Sequence, residues 1–330
     1  MAYPDVHLVT QIADERIVIT GGAGFIGSTL AGVLLDRNDV VIYDDFTRDA
    51  LSTSGFADHP NLTTIKGDVL DVAGVEKALH GATYIVHCAG IAGSDKVIRD
   101  PVRTLQVNMI GSANVLEAAR GATGLKRLTC FSTSEVFGSL AYMPEESSPT
   151  TFGAVGEARW VYAVSKLAQE HLAHAYFSQH GLPTVTVRPF NVYGPGQVGE
   201  GAIRPFILRA LAGEDLLIHG DGGQIRAWCY VDDMIDGILR TMTLDAAVGE
   251  SFNIGNQRAV TTIHGLASTV VRVLGSSSSI RFVPRPSADI ELRGPHSEKA
   301  RTVLGFDAKV DLEEGIEQTA ECYAAAGISA

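Results

Sequence analysis

The stretch 16–37, RIVITGGAGFIGSTLAGVLLDR, indicates the fold of this chain. Residues 16–20 form a short apolar run rich in β-branched side chains, which is typical of a buried parallel strand. A glycine-rich turn follows at once, and residues 28–37 continue with helical spacing. Strand, glycine turn and helix in this order predict the first unit of a doubly wound α/β sheet.

The alternation of apolar runs and helical segments continues to residue 190. Further strands are predicted at 40–45, 62–68, 83–90, the start of 125–138 and 183–190, and helices at 72–81, 101–120 and 160–181. Right-handed crossovers between such strands give a Rossmann-type parallel sheet. After residue 190 the rhythm breaks, and a smaller mixed α/β domain is predicted.

The glycine turn has the chemistry of an anion site. Gly22-x-Gly24-x-x-Gly27 lets the backbone approach a pyrophosphate, which the N-terminus of the following helix attracts. Asp44 lies twenty residues after Gly24, where an acid hydrogen-bonds a ribose diol. A carboxylate there repels a 2′-phosphate, so the sequence favours NAD over NADP. Asp68, after the third strand, is predicted to meet the adenine amino group or to cap a helix.

These assignments divide the chain into two parts. The NAD-binding domain is predicted over residues 14–190, with a returning segment near 225–255. The substrate domain is predicted over 191–224 and 256–330.

Composition excludes several classes of function. The chain has 330 residues and a net charge of −12, which disfavours a broad basic face for nucleic acid. We see no secretory signal and no apolar run long enough for a membrane span. The four cysteines lie far apart without CxxC spacing, which is typical of reduced thiols in a cytoplasmic protein.

Tyr162 and Lys166 are the predicted catalytic pair. They lie four residues apart in a helical segment and therefore share a face. A phenol beside a cation and an oxidised nicotinamide has a lowered pKa, and its phenolate can take the proton of a sugar hydroxyl during oxidation. Thr133, at the end of the fifth strand, is expected to orient the same oxygen.

With these motifs in place, the chain resembles the extended short-chain dehydrogenases/reductases of the nucleotide-sugar epimerase/dehydratase group. The resemblance covers nearly the whole chain and includes TGGAGFIGS, YDDF, KGDV, HCAG, VNMIGSANVLEA, STSEVFG, YAVSK, RPFNVYGPG and LEEGIE. It implies tightly held NAD, a nucleoside diphosphate sugar that passes through a 4-keto intermediate, and a homodimer packed through the two long helices. The cofactor contacts that it implies are Gly21, Gly24, Phe25, Ile26, Gly27, Asp44, Asp68, Val69, Ala89, Asn108, Tyr162 and Lys166.

Two further stretches bear on the reaction. Thr133-Ser134-Glu135 is similar to UDP-glucuronate decarboxylases and GDP-mannose 4,6-dehydratases, whereas dTDP-glucose 4,6-dehydratases carry Thr-Asp-Glu. The stretch 289–295, DIELRGP, resembles the decarboxylase that starts 4-amino-arabinose synthesis. In that subfamily the Glu that corresponds to Glu135 and the Arg that corresponds to Arg293 act at the sugar carboxylate. The resemblance therefore favours decarboxylation of UDP-glucuronate, with Glu135 and Arg293 as catalytic residues.

Several alternatives stay open at this point. A 4,6-dehydratase or a 4-epimerase is the second interpretation, and a non-catalytic NAD-binding scaffold is disfavoured because Tyr162 and Lys166 are both present. Glu135 can also be interpreted as a loop acid near the surface, and Arg293 as the partner of Glu291 on a solvated strand. The sequence does not distinguish a UDP-pentose from a UDP-4-keto-pentose product.

The remaining expectations concern the substrate and metals. The resemblance places Ser134, Asn191, Arg226, Arg285 and Arg293 at the substrate. Two cations beside a diphosphate are electrostatically sensible. We predict no metal site, because the histidines of the helix at 160–181 have no third ligand nearby.

Overall fold

The computed structural model describes residues 12–199, 201–284 and 290–328, with the backbone alone at Leu140. Seven strands form one sheet in the order β12-β7-β5-β4-β1-β2-β3, and each neighbouring pair is parallel. The strands are β1 (Arg16–Thr20), β2 (Asp39–Asp44), β3 (Leu62–Lys66), β4 (Tyr84–His87), β5 (Arg127–Phe131), β7 (Thr184–Pro189) and β12 (Ser251–Ile254). The predicted Rossmann-type parallel sheet is confirmed.

Helices cover both faces of this sheet because its strands are apolar on both sides. Ile17 and Ile19 of β1 pack into one core together with α1 (Phe25–Leu34) and α8 (Val231–Thr243), whereas Val18 faces the opposite core. The elements on that second side are α2 (Val72–Leu79), α5 (Ser112–Arg120) and α6 (Val161–His180).

The predicted helix at 101–120 contains a change of helical type. It begins as α4 (Pro101–Leu105), continues as a π-helical segment (Gln106–Gly111) and ends as α5. A short helix α3 (Ser94–Arg99) precedes it. π-Helical turns are rare and occur often at functional sites. This one places Asn108 beneath the cavity described below.

The rest of the chain forms smaller sheets with their own helices. A four-stranded sheet has the order β13-β10-β15-β6, and two pairs, β8 with β11 and β9 with β14, are parallel. Strand β6 belongs to this region although it lies between β5 and α6 in sequence. The remaining elements are β6 (Leu140–Tyr142), β8 (Val192–Tyr193), α7 (Ile203–Ala212), β9 (Leu216–His219), β10 (Ile225–Ala227), β11 (Cys229–Tyr230), β13 (Val260–Thr262), α9 (Ile263–Val273), β14 (Ile280–Val283), β15 (Leu292–Gly294), α10 (Glu298–Leu304) and α11 (Leu312–Ala325).

One hydrophobic core joins the two regions. The cluster that holds Ile17 and Val187 of the large sheet also holds Leu216 and Leu266 of the smaller region. Strand β12 pairs with β7 and extends the large sheet from late in the chain. In the described part of the chain, we find no helix with the length and apolar character needed to span a bilayer.

Candidate active site

The turn between β1 and α1 requires glycine at two positions. Gly21 has φ +70°, and a Cβ atom there would lie 2.4 Å from the backbone nitrogen of Ala89. A Cβ atom at Gly27 would lie 2.7 Å from Cα of Gly22. Real Cβ atoms do not approach backbone so closely, so any larger residue forces the turn to move. These two glycines bring α1 and the end of β4 against the turn.

Gly24 differs from them because its open side faces the cavity. A Cβ atom at Gly24 would meet only the Gly21 carbonyl oxygen, at 3.4 Å. Gly24 is the N-cap of α1 and lines the cavity, so the helix N-terminus opens toward it. A pyrophosphate fits this opening because the free N–H groups and the helix dipole attract an anion.

Asp44 lies at the end of β2 and lines the same cavity. Its two carboxylate oxygens accept hydrogen bonds from the backbone N–H groups of Ala23 at 2.9 Å and Phe46 at 2.7 Å. Burial raises the pKa of Asp44, and these two hydrogen bonds oppose the rise. The carboxylate is thus fixed beside the glycine turn, where the ribose of a dinucleotide would lie. The residues present fit the predicted NAD.

The cavity has a volume of about 730 Å³ and runs along the carboxyl ends of the central strands. Ligands of doubly wound sheets bind at this edge. Most of the residues predicted from the sequence line it. They are Gly21, Gly24, Phe25, Ile26, Gly27, Asp44, Asp68, Val69, Ala89, Thr133, Ser134, Glu135, Tyr162, Lys166, Asn191 and Arg293.

Two of the predicted residues that the structure describes do not line the cavity. Asn108 supports the cavity wall from behind, where it accepts a hydrogen bond from the Ile91 N–H at 2.7 Å and donates to Ser165 Oγ at 3.0 Å. Arg226 is buried on β10 beside Arg293 in the strand register, and it is not among the residues that line the cavity. Arg285 lies outside the described residues.

Lys166 is fully enclosed at one end of the cavity. Its Nζ donates hydrogen bonds to the Phe131 carbonyl at 2.7 Å and to Oε1 of Gln169 at 2.8 Å. Gly90 packs against the ammonium group, since a Cβ atom there would lie 3.1 Å from Nζ. Burial lowers the pKa of Lys166 to about 8.

Tyr162 lies in the first turn of α6, in an environment that favours the neutral phenol. Burial raises its pKa to about 12, and the negative charge of Glu135 adds to the rise. A hydrogen bond with Thr133 and the positive charges of Arg293 and Arg48 act in the opposite direction. The lowered phenol pKa expected from the sequence is therefore not a property of the chain alone.

Glu135 is held between two arginines. Nη1 of Arg159 lies 2.7 Å from Oε2, and Nη1 of Arg293 lies 3.6 Å from Oε1. The side chains are between 7% and 16% exposed. Burial favours the neutral acid, but the charges of Arg293 and Arg159 outweigh it and lower the pKa of Glu135. The alternative interpretations of Glu135 as a surface acid and of Arg293 as a residue of a solvated strand were wrong.

Four residues of the site were missed in the sequence. For Arg159, the available signal was its position three residues before Tyr162. Arg103 forms an ion pair with Asp68, and Arg48 donates to the Ala92 carbonyl at 2.8 Å across the cavity. Gln169 carried no sequence signal beyond its place one turn after Lys166. Within the described ranges, no cluster of three or more His, Cys, Asp or Glu residues is arranged to hold a metal ion.

Comparisons with known proteins agree with this geometry. The model of the NAD dependent epimerase/dehydratase family matches residues 17–255. UDP-glucuronic acid decarboxylase 1 of Xenopus tropicalis is 32% identical, and the aligned region covers 96% of this chain and 74% of the length of that protein. UDP-N-acetyl-alpha-D-glucosaminuronate decarboxylase of Bacillus cytotoxicus is 33% identical over 94% of this chain and 98% of its own. The crystal structure of UDP-glucuronic acid 4-epimerase from Bacillus cereus, in complex with UDP-glucuronic acid and NAD, has a TM-score of 0.85 at 28% identity and covers 94% of this chain and 99% of its own.

Proposed function

The chain belongs to the NAD-dependent epimerase/dehydratase family, and we propose that it decarboxylates UDP-glucuronate through a 4-keto sugar. The observation that carries this proposal is the position of Arg293. Its buried guanidinium lines the cavity that also holds Tyr162, and Glu135 fixes it from one side. A guanidinium in this position is suited to hold the carboxylate of a uronic acid.

NAD is the cofactor of the family, and the residues of the cavity are arranged to hold it. We assign the pyrophosphate to the N-terminus of α1 at Gly24, the adenosine ribose to Asp44 and the nicotinamide side to Lys166. When bound, NAD supplies the acceptor for oxidation at C4 of the sugar.

Tyr162 is the proposed general base. Its phenolate takes the proton of the C4 hydroxyl as C4 becomes a ketone. Thr133 is hydrogen-bonded to Tyr162 and is placed to orient the same sugar oxygen. Because the pKa of Tyr162 is about 12 in the chain alone, formation of the phenolate would need further positive charge, which the oxidised nicotinamide ring of NAD would supply when bound.

Oxidation at C4 prepares the loss of carbon dioxide. The new ketone is β to the C6 carboxylate, so the C5–C6 bond breaks and its electron pair forms an enolate with O4. Arg293 holds the carboxylate before this step, and its charge also favours the enolate. The enolate then takes a proton at C5 from solvent water.

Glu135 takes part as a carboxylate. Two arginines lower its pKa, so it is ionised at neutral pH and does not store a proton for C5. We assign it to hold the guanidinium of Arg293 at the sugar carboxylate and to balance part of its charge. Ser134, Asn191, Arg226 and Arg285 are the further proposed substrate contacts.

We also propose that the protein is a homodimer. Val102, Ile110 and Val164 are 64%, 52% and 41% exposed on α4, the π-helical segment and α6. These helices pack against one another, so the exposed apolar side chains belong to one helical layer. Their burial against a second copy would remove apolar surface from water.

Two coarser assignments complete the proposal. Residues 14–190, with the segment near 225–255, would form the NAD-binding domain, and 191–224 with 256–330 would bind the nucleotide sugar. Pairing of β12 with β7 supports the returning segment. The four cysteines are free thiols, which supports a cytoplasmic protein.

Product masses test the function directly. The protein would be incubated separately with UDP-glucuronate, UDP-glucose, dTDP-glucose and GDP-mannose in the presence of NAD. We expect loss of carbon dioxide from UDP-glucuronate. Loss of water would assign a 4,6-dehydratase, and a product of unchanged mass with inverted C4 would assign a 4-epimerase. Arg293→Ala should lose turnover of UDP-glucuronate, whereas Arg301→Ala, on the exposed face of α10, serves as the matched control.

A further inference from the structure

The ammonium group of Lys166 is buried among neutral groups. Its side chain lies in the cavity wall, and two of its hydrogens are held by carbonyl oxygens, those of Phe131 and Gln169. Within the described ranges no carboxylate pairs with it. A buried cation without an anionic partner is unusual, because desolvation favours the neutral amine.

The titratable groups that face Lys166 do not supply a negative charge at neutral pH. His87 lies on β4 and Cys88 directly follows that strand. Cys130 lies on β5, and Tyr162 lies on α6, the helix that carries Lys166. Burial raises the pKa of both thiols to about 12 and lowers the pKa of His87 to about 3. Tyr162 is neutral as well, with its pKa at about 12.

The carboxylates that line the same cavity have other partners: Asp68 pairs with Arg103, Asp45 accepts from the Thr47 N–H, and Asp100 accepts from the Arg103 N–H. Asp44 accepts hydrogen bonds from the backbone N–H groups of Ala23 and Phe46, and Glu135 faces Arg159 and Arg293. The amide oxygen of Gln169 and the Phe131 carbonyl are therefore the contacts that stabilise the charged form of Lys166. Of these two acceptors, only Gln169 can be changed by mutation.

Gln169 accepts a hydrogen bond from Lys166, but its own amide nitrogen is left without a partner in the described part of the chain. It is fully buried on α6, one turn beyond Lys166, and its Oε1 faces Nζ at 2.8 Å. Its amide nitrogen has no hydrogen-bond partner among the residues that the structure describes. A buried amide with one unpaired end destabilises the fold relative to an apolar residue of the same shape. Such a residue calls for a functional reason.

We propose that Gln169 is a positioning residue for Lys166, whose ammonium it keeps charged and turned so that its third hydrogen faces the NAD site. The role rests on the placement of NAD in the proposed function, but it is independent of which sugar the enzyme converts. Without the amide oxygen, one ammonium hydrogen loses its acceptor, and the side chain is free to rotate away from the cavity.

The test measures the titration of Lys166 itself. The sequence contains seven lysines, so a protein labelled with ¹³C at lysine Cε gives few signals, and Lys166→Met identifies the one of interest. Gln169→Met keeps the length of the side chain and removes the acceptor, so the Lys166 pKa should fall by about one. Gln169→Glu places a carboxylate there, so the same pKa should rise. Gln318→Met, on exposed α11, should leave it unchanged.

NAD affinity provides a second readout that does not depend on turnover. In calorimetric titrations between about pH 6 and pH 9, affinity should decline above the Lys166 pKa, and the decline should start about one pH unit lower in Gln169→Met. A purely structural role for Gln169 would weaken binding equally at every pH. The proposal is overturned if both variants fold and the Lys166 pKa does not move in opposite directions. If Gln169→Met does not fold, the Gln169→Glu variant decides the matter, and an unchanged Lys166 pKa in that variant overturns the proposal.

Discussion

At the level of single residues, the site places a neutral phenol, the proposed general base, close to several arginine side chains. Tyr162 is partly buried and hydrogen-bonded with Thr133, and its phenol is protonated in the chain alone. Arg159 and Arg293 flank the one carboxylate, Glu135, that acts directly on this phenol. The two guanidinium groups outnumber the carboxylate, so this part of the cavity carries excess positive charge, which suits the carboxylate of the proposed uronate substrate.

The base assignment predicts the behaviour of Tyr162→Phe. The substitution removes the hydroxyl and keeps the ring, so NAD binding and thermal stability should change little. Turnover should fall by roughly 10² to 10⁴-fold, since this is the range that general acid–base catalysis contributes. Steady-state kinetics and calorimetric NAD titration measure the two effects. Full activity in this variant would show that another group takes the proton.

Replacement of Arg159 is expected to change how kcat/KM depends on pH. The pKa of Glu135 is lowered in the folded protein, so the carboxylate form persists down to a lower pH than in a free glutamate. As the pH falls through this lowered pKa, Glu135 is protonated and its ion pairs with the arginines are lost. Arg159→Ala removes one cause of the lowering. The acidic limb of the profile of kcat/KM against pH should therefore move to higher pH, and kcat/KM at neutral pH should fall by about a hundredfold as Glu135 loses its position.

The matched control for this change is Arg120→Ala. Arg120 also pairs with a glutamate, Glu117, but both side chains are about half exposed on α5. Exposed ion pairs contribute little, so neither the pH profile nor kcat/KM should change. An acidic limb that stays in place in Arg159→Ala would mean that Glu135 does not control activity through its charge.

At the scale of elements, the turn between β1 and α1 separates two roles of glycine. Gly21 has a left-handed backbone and touches the end of β4, so the packing of the protein itself requires it. Gly24 has ordinary backbone angles and space on its cavity side. We infer that Gly24 is required by the ligand rather than by the fold.

A pair of substitutions tests this separation. Gly21→Ala should lower the free energy of unfolding by about 2 kcal/mol or more, because a left-handed alanine is strained and its Cβ meets backbone. Gly24→Ala should leave the melting temperature nearly unchanged and weaken NAD binding at least about tenfold, which is about 1.4 kcal/mol. Denaturation and calorimetry give the two values. Equal losses of stability in both variants would contradict the assignment.

At the scale of the whole molecule, the sequence was informative where contacts are local. Apolar runs such as the one in β1 predicted the sheet, and Tyr162 with Lys166 predicted the catalytic face of α6 from helical spacing alone. The contact of Glu135 with Arg293 was not predictable by spacing, because it depends on β15 pairing with β6 far away in sequence. Tertiary packing also sets the Tyr162 pKa, which no local pattern reports.

The π-helical segment was likewise outside the reach of pattern reasoning. Residues 101–120 have continuous helical spacing, and a single helix was predicted. The change of type at Gln106–Gly111 accompanies Asn108, whose side chain is tied to the backbone of Ile91 and to Ser165.

The proposed homodimer predicts the effect of a substitution at one exposed apolar residue, Ile110. Ile110 is about half exposed in a single copy and lies in the helical layer proposed to pack against a second. A carboxylate at the centre of such an interface would be desolvated without a partner, so Ile110→Asp should be monomeric by size-exclusion chromatography with light scattering, whereas the unchanged protein should be a dimer. Val303→Asp, on exposed α10 outside this layer, should remain dimeric. Because Ile110 is exposed and does not line the cavity, the monomer should still bind NAD. A wild-type protein that is monomeric at micromolar concentration would refute the interface itself.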